Sequence, residues 1–342
     1  MKKTVSSLLT AALAWSVLTG CSAEEVDSSA EATQENPMVL RLAHNLNDTH
    51  VTSQALTAFA EEVTQSSDGR IVVDIYANGQ LGSETQVLGQ LTQGIIDMTR
   101  VSSPGLADYD QGYETFGLPY VFGNEEEYYQ AMDSPEMQEY FQSTEDEGFV
   151  GLTYYTSGAR SFYTADTPIR EPEDLSGLKI RVQDMRSQTE LLDTLGGTPV
   201  VMAFGDIYTA LQTGMIDGAE SNETALTQSN HGEVAKVFSV SEHTRIPDML
   251  VISADAWERL SPEDQQLLVD AAAESTESHK VAWAESIDEA IAKAKEMGVT
   301  FITDVDIEAF QREAQPLVDE YAAEYPEVAE LLQVIESAGE AK

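Results

Sequence analysis

The sequence predicts an α/β protein of two lobes, each built on its own sheet, with one long helix lying across both. Three observations carry that prediction. Strand-like and helix-like periods alternate as β-α-β-α-β over residues 38–99, and the alternation resumes over 177–214. Residues 261–297 stay helix-permissive for about ten turns at 3.6 residues each, longer than a single lobe needs. The length of 342 residues fits two domains at about 100–200 residues apiece.

Taken in order, Met38-Val39-Leu40-Arg41-Leu42-Ala43 reads as a strand, and Leu56, Phe59, Ala60 and Val63 recur at helix spacing after it. Asp68-Gly69 marks a turn into a second strand over 70–76. Ser83 is placed to cap a helix with apolar positions Val87, Leu88, Leu91 and Ile95. Ile96-Asp97-Met98-Thr99 reads as a third strand, which makes the sheet open and mostly parallel. In the second half, 177–182 and 198–202 read as strands, and 187–195 and 204–214 as helices, the last closed by Gly214. Ser261-Pro262-Glu263-Asp264 is a strong start for the long helix.

The N terminus reads as a processing signal. Met1-Lys2-Lys3 precedes an apolar run from Leu8 to Leu18, too short to span a bilayer stably. The run ends Leu18-Thr19-Gly20-Cys21, and small residues before the chain's only cysteine resemble the bacterial lipobox. Residues 1–20 are therefore expected to be a signal peptide and Cys21 the lipidated residue. The Ser/Ala/Glu-rich stretch 22–37 is expected to be a disordered tether. The protein is expected outside the cytoplasm, held by its lipid anchor in the periplasm or at the outer face of the cell membrane.

With 60 acidic and 18 basic residues, the formal net charge is −42. That excludes a nucleic-acid binder acting through its net field, and one cysteine excludes a disulfide framework or zinc-finger-type site. So large an acidic excess gives a well-solvated surface and points to a saline habitat. No nucleophile elbow, P-loop, Gly-x-Gly-x-x-Gly or His-Glu-x-x-His is present, and the histidines lack zinc-pair spacing. No enzyme activity, cofactor or metal is expected.

The scarce cations are more informative. Residues 101–159 carry twelve acids and no Lys or Arg, and Arg160 ends that run. In the strand 178–182, Leu178, Ile180 and Val182 share one face, leaving Lys179 and Arg181 on the other. An arginine so placed either grips a ligand carboxylate through two parallel hydrogen bonds or forms a structural ion pair. Spacing leaves both readings open.

Larger blocks of sequence go further. Gly69-Arg70-Ile71, Asn78-Gly79-Gln80-Leu81-Gly82 and Gln93-Gly94-Ile95-Ile96-Asp97-Met98 are followed by Leu118-Pro119-Tyr120-Val121-Phe122 and Pro168-Ile169. Then come Asp174-Leu175-Ser176-Gly177-Leu178-Lys179-Ile180-Arg181-Val182 and Ala210-Leu211-Gln212-Thr213-Gly214-Met215-Ile216-Asp217-Gly218-Ala219-Glu220. This ordered set resembles the solute-binding proteins of tripartite ATP-independent periplasmic (TRAP) transporters, of the dicarboxylate-binding type, over essentially residues 38–330. The resemblance implies a periplasmic-binding-protein-like fold with hinge strands and a bridging helix. Its lobes close on one small organic acid, which is delivered to a TRAP membrane permease. Lobe 1 is expected over 38–157 and 247–280, lobe 2 over 158–246 and 281–335.

In that resemblance Arg181 matches the carboxylate-clamping arginine and Arg160 a second basic position near the ligand. Many members carry Glu-Asn-Asn where this chain has Glu220-Ser221-Asn222, so Asn222 is the expected contact and Ser221 a departure. Segments 232–236 and 242–250 look most like members that take sugar acids, hexuronates such as glucuronate and galacturonate and related keto-sugar acids. A polyhydroxylated acid needs neutral donors and acceptors besides the arginine. His44, Asn45, Ser102, Ser103, Asn222 and His243 are the candidates, with Glu84 as a hydroxyl acceptor. Tyr208 and Trp283 read as core or lobe-interface aromatics. Alternatives are another carboxylate (a dicarboxylate, 2-oxo acid or aromatic acid), or a sensory receptor signalling to a membrane kinase.

Overall fold

The computed structural model describes residues 32–340. The expected signal peptide, Cys21 and the first part of the tether lie outside the described residues. The chain opens with β1 (Met38–Ala43), α1 (Val51–Ser66), β2 (Ile71–Tyr76), α2 (Glu84–Leu91) and β3 (Met98–Ser102). After two 3₁₀ segments follow α3 (Glu125–Met132), α4 (Pro135–Gln142), β4 (Phe149–Tyr155) and β5 (Arg160–Thr164). Next are β6 (Lys179–Val182), α5 (Arg186–Thr194), β7 (Thr198–Val201), α6 (Ile207–Thr213), β8 (Gly218–Ser221) and α7 (Thr224–Gln228). The remainder is β9 (Val237–Thr244), β10 (Asp248–Ser253), α8 (Ala254–Glu258), α9 (Pro262–Glu296), β11 (Thr300–Ile302), α10 (Ile307–Glu324) and α11 (Pro326–Glu340).

These strands form a five-stranded sheet, β2-β1-β3-β10-β4, and a six-stranded sheet, β11-β9-β5-β8-β6-β7. Strand β1 runs parallel to β2 and β3, and β6 parallel to β7 and β8, as the β-α-β pattern requires. Both sheets are nevertheless mixed, because β10 is antiparallel to β3 and β4, and β5 to β8 and β9. The cause is connectivity. The chain leaves the first sheet through β4 into β5 and returns from β9 into β10. Short links, 156–159 and 245–247, join the sheets there. Ser157 donates to the Ile246 carbonyl at 2.6 Å and ties the two links together. All of β4 and β10 is buried, so their sequences lack the alternation that marks a half-exposed strand.

Local details follow residue chemistry. Asp68 and Gly69 have φ of 51° and 77°, the left-handed pair that a tight turn into β2 requires. Ser83 and Gln86 make a reciprocal capping box at the start of α2. That helix stops at Leu91, short of the expected Ile95, because Gly94 turns the chain at φ 68° and leaves Ile95 exposed. The third strand begins at Met98, two residues later than expected. Asp97 instead accepts from the Arg41 backbone N–H at 2.9 Å and pairs with the Arg41 and Arg259 guanidinium groups. The 204–214 helix divides into a 3₁₀ turn and α6, closed by Gly214 at φ 69°. Order also begins before Met38: Thr33 and Asn36 bridge across a turn, in the part of the expected tether that is described.

Helix α9 starts where predicted. Ser261 accepts from the Asp264 N–H at 3.1 Å and Pro262 occupies the first turn. Its first half puts Leu268, Ala271 and Ala272 into a core with Leu40, Phe59 and Leu250 of the first sheet's side. Its far end puts Ala294 into a core with Tyr163, Leu211 and Phe238 of the second. One helix thus bridges both. The last helix, α11, packs on both sides: Leu331 and Ile335 join a core with Phe122 and Tyr128 of the first, and Val328 a core with Phe162 and Ile180 of the second.

Candidate ligand-binding cleft

The polar ends of the strands converge on one cleft between the sheets. Asn45 follows β1, Arg100 and Ser102 lie on β3, Arg181 on β6 and Ser221 on β8, and all face it. These are carboxyl ends of parallel strands, where α/β sheets gather loops around ligands. Counted out to its mouth and the solvent there, the cleft holds about 550 Å³ of space not filled by atoms. Trp283 from α9, read from the sequence as a core or lobe-interface aromatic, also lines it and forms part of the wall. Gly158, at φ 66°, lets the β4–β5 link pass close by: a Cβ there would sit 3.2 Å from the Trp283 Nε1.

Three buried arginines line the cleft, and their partners differ. Arg160 directs Nε and Nη2 at the two carboxylate oxygens of Glu220, at 2.5 and 2.9 Å, and Nη2 also reaches the Glu220 carbonyl at 2.8 Å. Arg100 pairs with both Glu84 and Asp248 and donates to the Asn45 Oδ1 at 3.2 Å. Arg181 has no carboxylate partner among the described residues. Its Nε and Nη2 donate to the Met202 carbonyl at 3.0 and 2.8 Å, leaving the Nη1 donors uncommitted. Burial lowers the Arg181 pKa, opposed by Glu220, yet a guanidinium remains charged at any neutral pH. A buried cation without a counter-charge invites an anion.

Of the residues singled out in the sequence, Arg181, Arg160, Asn222, Asn45, Ser102, Ser221 and Glu84 line the cleft. Their roles differ in detail. Arg160 is held as an internal ion pair. Ser102 donates to the Asp248 Oδ1 at 2.8 Å. The Asn222 Oδ1 accepts from the Thr224 N–H at 3.0 Å and from its hydroxyl at 2.6 Å, leaving the side-chain NH₂ available.

Three candidates do not line it. His44 is buried behind the wall, with Nε2 3.4 Å from the Ser53 hydroxyl. Ser103 is buried just past the end of β3, and its backbone N–H donates to the Pro247 carbonyl at 3.0 Å. His243 stacks on Phe162 at 4.2 Å and bonds Ser241 through Nδ1 at 2.8 Å, a satisfied core histidine. Sequence reading missed Arg100, Asp248, His50 and Gln183, which all line the cleft. Arg100 carried a signal: it is the last cation before the long acid-only run. The Gln183 Oε1 and Arg100 Nε are buried with no hydrogen-bond partner among the described residues, polar atoms that a bound ligand can satisfy.

Burial holds every histidine neutral. It lowers His50 and His243 to about 3, and His44, His231 and His279 to about 4. The charge of the cleft at neutral pH therefore belongs to arginines and carboxylates alone. Among the described residues no cluster of His, Cys, Asp and Glu could hold a metal ion, and no helix is long and apolar enough to cross a membrane.

A two-sheet cleft with an uncompensated arginine is the architecture of a solute receptor, and comparison with known proteins agrees. Residues 42–324 match the bacterial extracellular solute-binding protein family 7. The chain belongs to that family. Its members are the solute-binding components of TRAP transport, not enzymes, which places this receptor outside the cytoplasm with a membrane permease as partner. The receptor is 41% identical to the uncharacterized protein YiiZ of Salmonella typhimurium, over 82% of this chain and 86% of that protein. A TRAP solute-binding protein of Anaerococcus prevotii, solved with bound D-glucuronate, superposes with a TM-score of 0.86 at 36% identity, covering 89% of this chain and 98% of that one. Another, from a Sulfitobacter species with bound β-D-galacturonate, gives 0.83 at 31% identity, covering 87% and 99%.

Proposed function

We propose that this receptor captures a hexuronate-like sugar acid and delivers it to its TRAP permease. The ligand carboxylate docks on Arg181, and Asn45, Ser102, Gln183, Ser221 and Asn222 serve its hydroxyls. The observation that carries this reading is the unpaired guanidinium of Arg181 in a cleft whose other arginines are already neutralised. The hexuronates bound by the two solved relatives support the choice of acid. In this reading lobe 1 comprises 38–157 and 247–280 and lobe 2 comprises 158–246 and 281–335, the links 156–159 and 245–247 bend, and ligand favours the closed form because only that form contacts it from both sides. The mature chain is anchored through a lipid on Cys21. Cys21→Ser should leave binding intact and move the protein from the membrane to the soluble fraction, and a wild type found wholly in the soluble fraction would remove the anchor.

Thermal-shift screening against an organic-acid library tests the ligand class. A hexuronate at 100 times its Kd should stabilise the protein by about 2.7 kcal/mol. A shift with dicarboxylates or aromatic acids and none with hexuronates overturns the proposal.

A further inference from the structure

We infer that the first-sheet wall of the cleft, through Glu84 held on Arg100, selects ligands whose far end is uncharged and hydroxylated and rejects acids with a second carboxylate. The inference rests on the sugar-acid reading and adds to it a reason why dicarboxylates are excluded.

The wall carries more negative charge than it needs. Arg100 contributes one positive charge, and two carboxylates, Glu84 and Asp248, pair with it. With Glu84 ionised that trio is net negative by one, whereas Arg160 and Glu220 cancel each other and Arg181 is left positive. The cleft is therefore polarised, with an unmatched cation at β6 and an unmatched anion across from it at β3 and α2. The two ends sense each other: Arg181 pulls the Glu84 pKa down and Glu84 pushes that of Arg181 up.

The two carboxylates have different exposure. The Asp248 side chain is sealed, with 3% accessible, and its two oxygens are taken by Arg100 and the Ser102 hydroxyl. The Glu84 side chain keeps 22% accessible and lines the cleft, so it is the carboxylate that a ligand meets. A ligand anchored on Arg181 presents its far end here. Hydroxyls donate to carboxylate oxygens, and charge-assisted bonds of this kind are roughly twice as strong as neutral ones. A second ligand carboxylate has no proton to donate and meets a like charge where the dielectric is low. Burial, with Asp248 adding to it, pushes the Glu84 pKa up, and Arg100 and Arg181 oppose this. Rejection is therefore strongest at alkaline pH and weakens as Glu84 takes up a proton.

The test is calorimetry at pH 8 with D-glucuronate and D-galacturonate, and with the aldaric acids that carry a second carboxylate on the same carbon skeleton. Wild type should bind its uronate at least tenfold more tightly than the matching aldarate, by about the cost of one like-charge contact. Glu84→Gln keeps an oxygen acceptor but removes the charge, and should narrow that preference about tenfold. The ring-to-chain difference between uronate and aldarate is common to both proteins, so the change in ratio isolates the charge. Glu84→Met removes acceptor and charge together, and should weaken uronate binding while also narrowing the preference. Circular dichroism confirms that each variant is folded. Equal wild-type binding of uronate and aldarate, or an unchanged preference in Glu84→Gln, overturns the inference and leaves the sugar-acid reading standing. Binding of neither uronate overturns both.

Discussion

Arg160 and Arg181 lie on neighbouring parts of the second sheet, both buried, both lining the same cleft, and they are set up for opposite work. Arg160 on β5 sits across from β8, whose Glu220 pairs with Phe162 in the ladder and delivers a carboxylate to the guanidinium. Arg181 on β6 lies between β8 and β7, and what it meets is a backbone carbonyl, that of Met202. The difference lies in the neighbours. A buried arginine given a carboxylate by its own sheet becomes part of the scaffold, and one given only a carbonyl is left to take its anion from outside.

The comparison breaks most visibly in folding stability. Arg160→Ala leaves Glu220 buried without a counter-charge, a loss of about 3–5 kcal/mol. Urea unfolding of the ligand-free protein should show it as a large fall in midpoint. Arg181→Ala should move that midpoint far less, since no carboxylate is stranded. If the two variants unfold alike, the scaffold-against-ligand distinction is wrong.

Binding is the mirror image. Truncating one member of a desolvated charge pair costs roughly 2–5 kcal/mol, about thirtyfold to several-thousandfold in affinity. Arg181→Ala should lose binding on that scale while circular dichroism stays native, and Arg181→Lys should recover only part, because an ammonium lacks the planar fork. Wild-type affinity in a folded Arg181→Ala protein would mean that the acid sits elsewhere.

This distinction marks the boundary of what the sequence could reveal. The strand carrying Arg181 was legible because Leu178, Ile180 and Val182 alternate with it. The long helix was legible from Ser261-Pro262 and a sustained helix-permissive stretch. The β4–β5 and β9–β10 crossings were not, because strands buried on both faces carry no alternation. With the crossings hidden, the antiparallel ladder that places Glu220 against Arg160 was hidden too, and so was Asp248, which reaches Arg100 only because β10 lies beside β3. His243 and His44 looked polar at strand ends, and only tertiary packing shows them turned into the core. Side chains chosen by type were found more readily than their partners.

Acidity offers a finer test. The histidines fall in the fold to about 3–4, below their ordinary value of 6.5, so the stability they contribute is present above pH 6.5 and is lost as pH falls toward 4. Glu223, pushed up to about 7 by burial, has the opposite sign: its contribution is present below pH 4.5 and is lost as pH rises through 7. Glu223→Gln should therefore steepen the net loss of stability on going from pH 7 to pH 5. No change in hexuronate affinity from pH 8 to 6 should come from Arg181, which does not titrate, or from His50, the histidine lining the cleft, which is already neutral. Any fall in that range should track proton uptake by Glu84 and vanish in Glu84→Gln. A strong rise in affinity across that range as a histidine charges would give the clamp to an imidazole.

Salt should have the smallest effect, and it separates the surface from the cleft. A net charge of −42 repels an anionic ligand at long range and opposes the compact state. At 0.15 M salt the Debye length is about 8 Å, so that field is largely screened. The contact between a ligand carboxylate and Arg181 lies inside the cleft, beyond the reach of mobile ions, and should be screened much less. From low to moderate ionic strength the association rate should therefore rise several-fold while the dissociation rate stays nearly constant. Stopped-flow measurement with a hexuronate separates the two rates directly. A dissociation rate that climbs with salt would show that ions reach the Arg181 contact, and that the guanidinium works in open water rather than in a closed cleft.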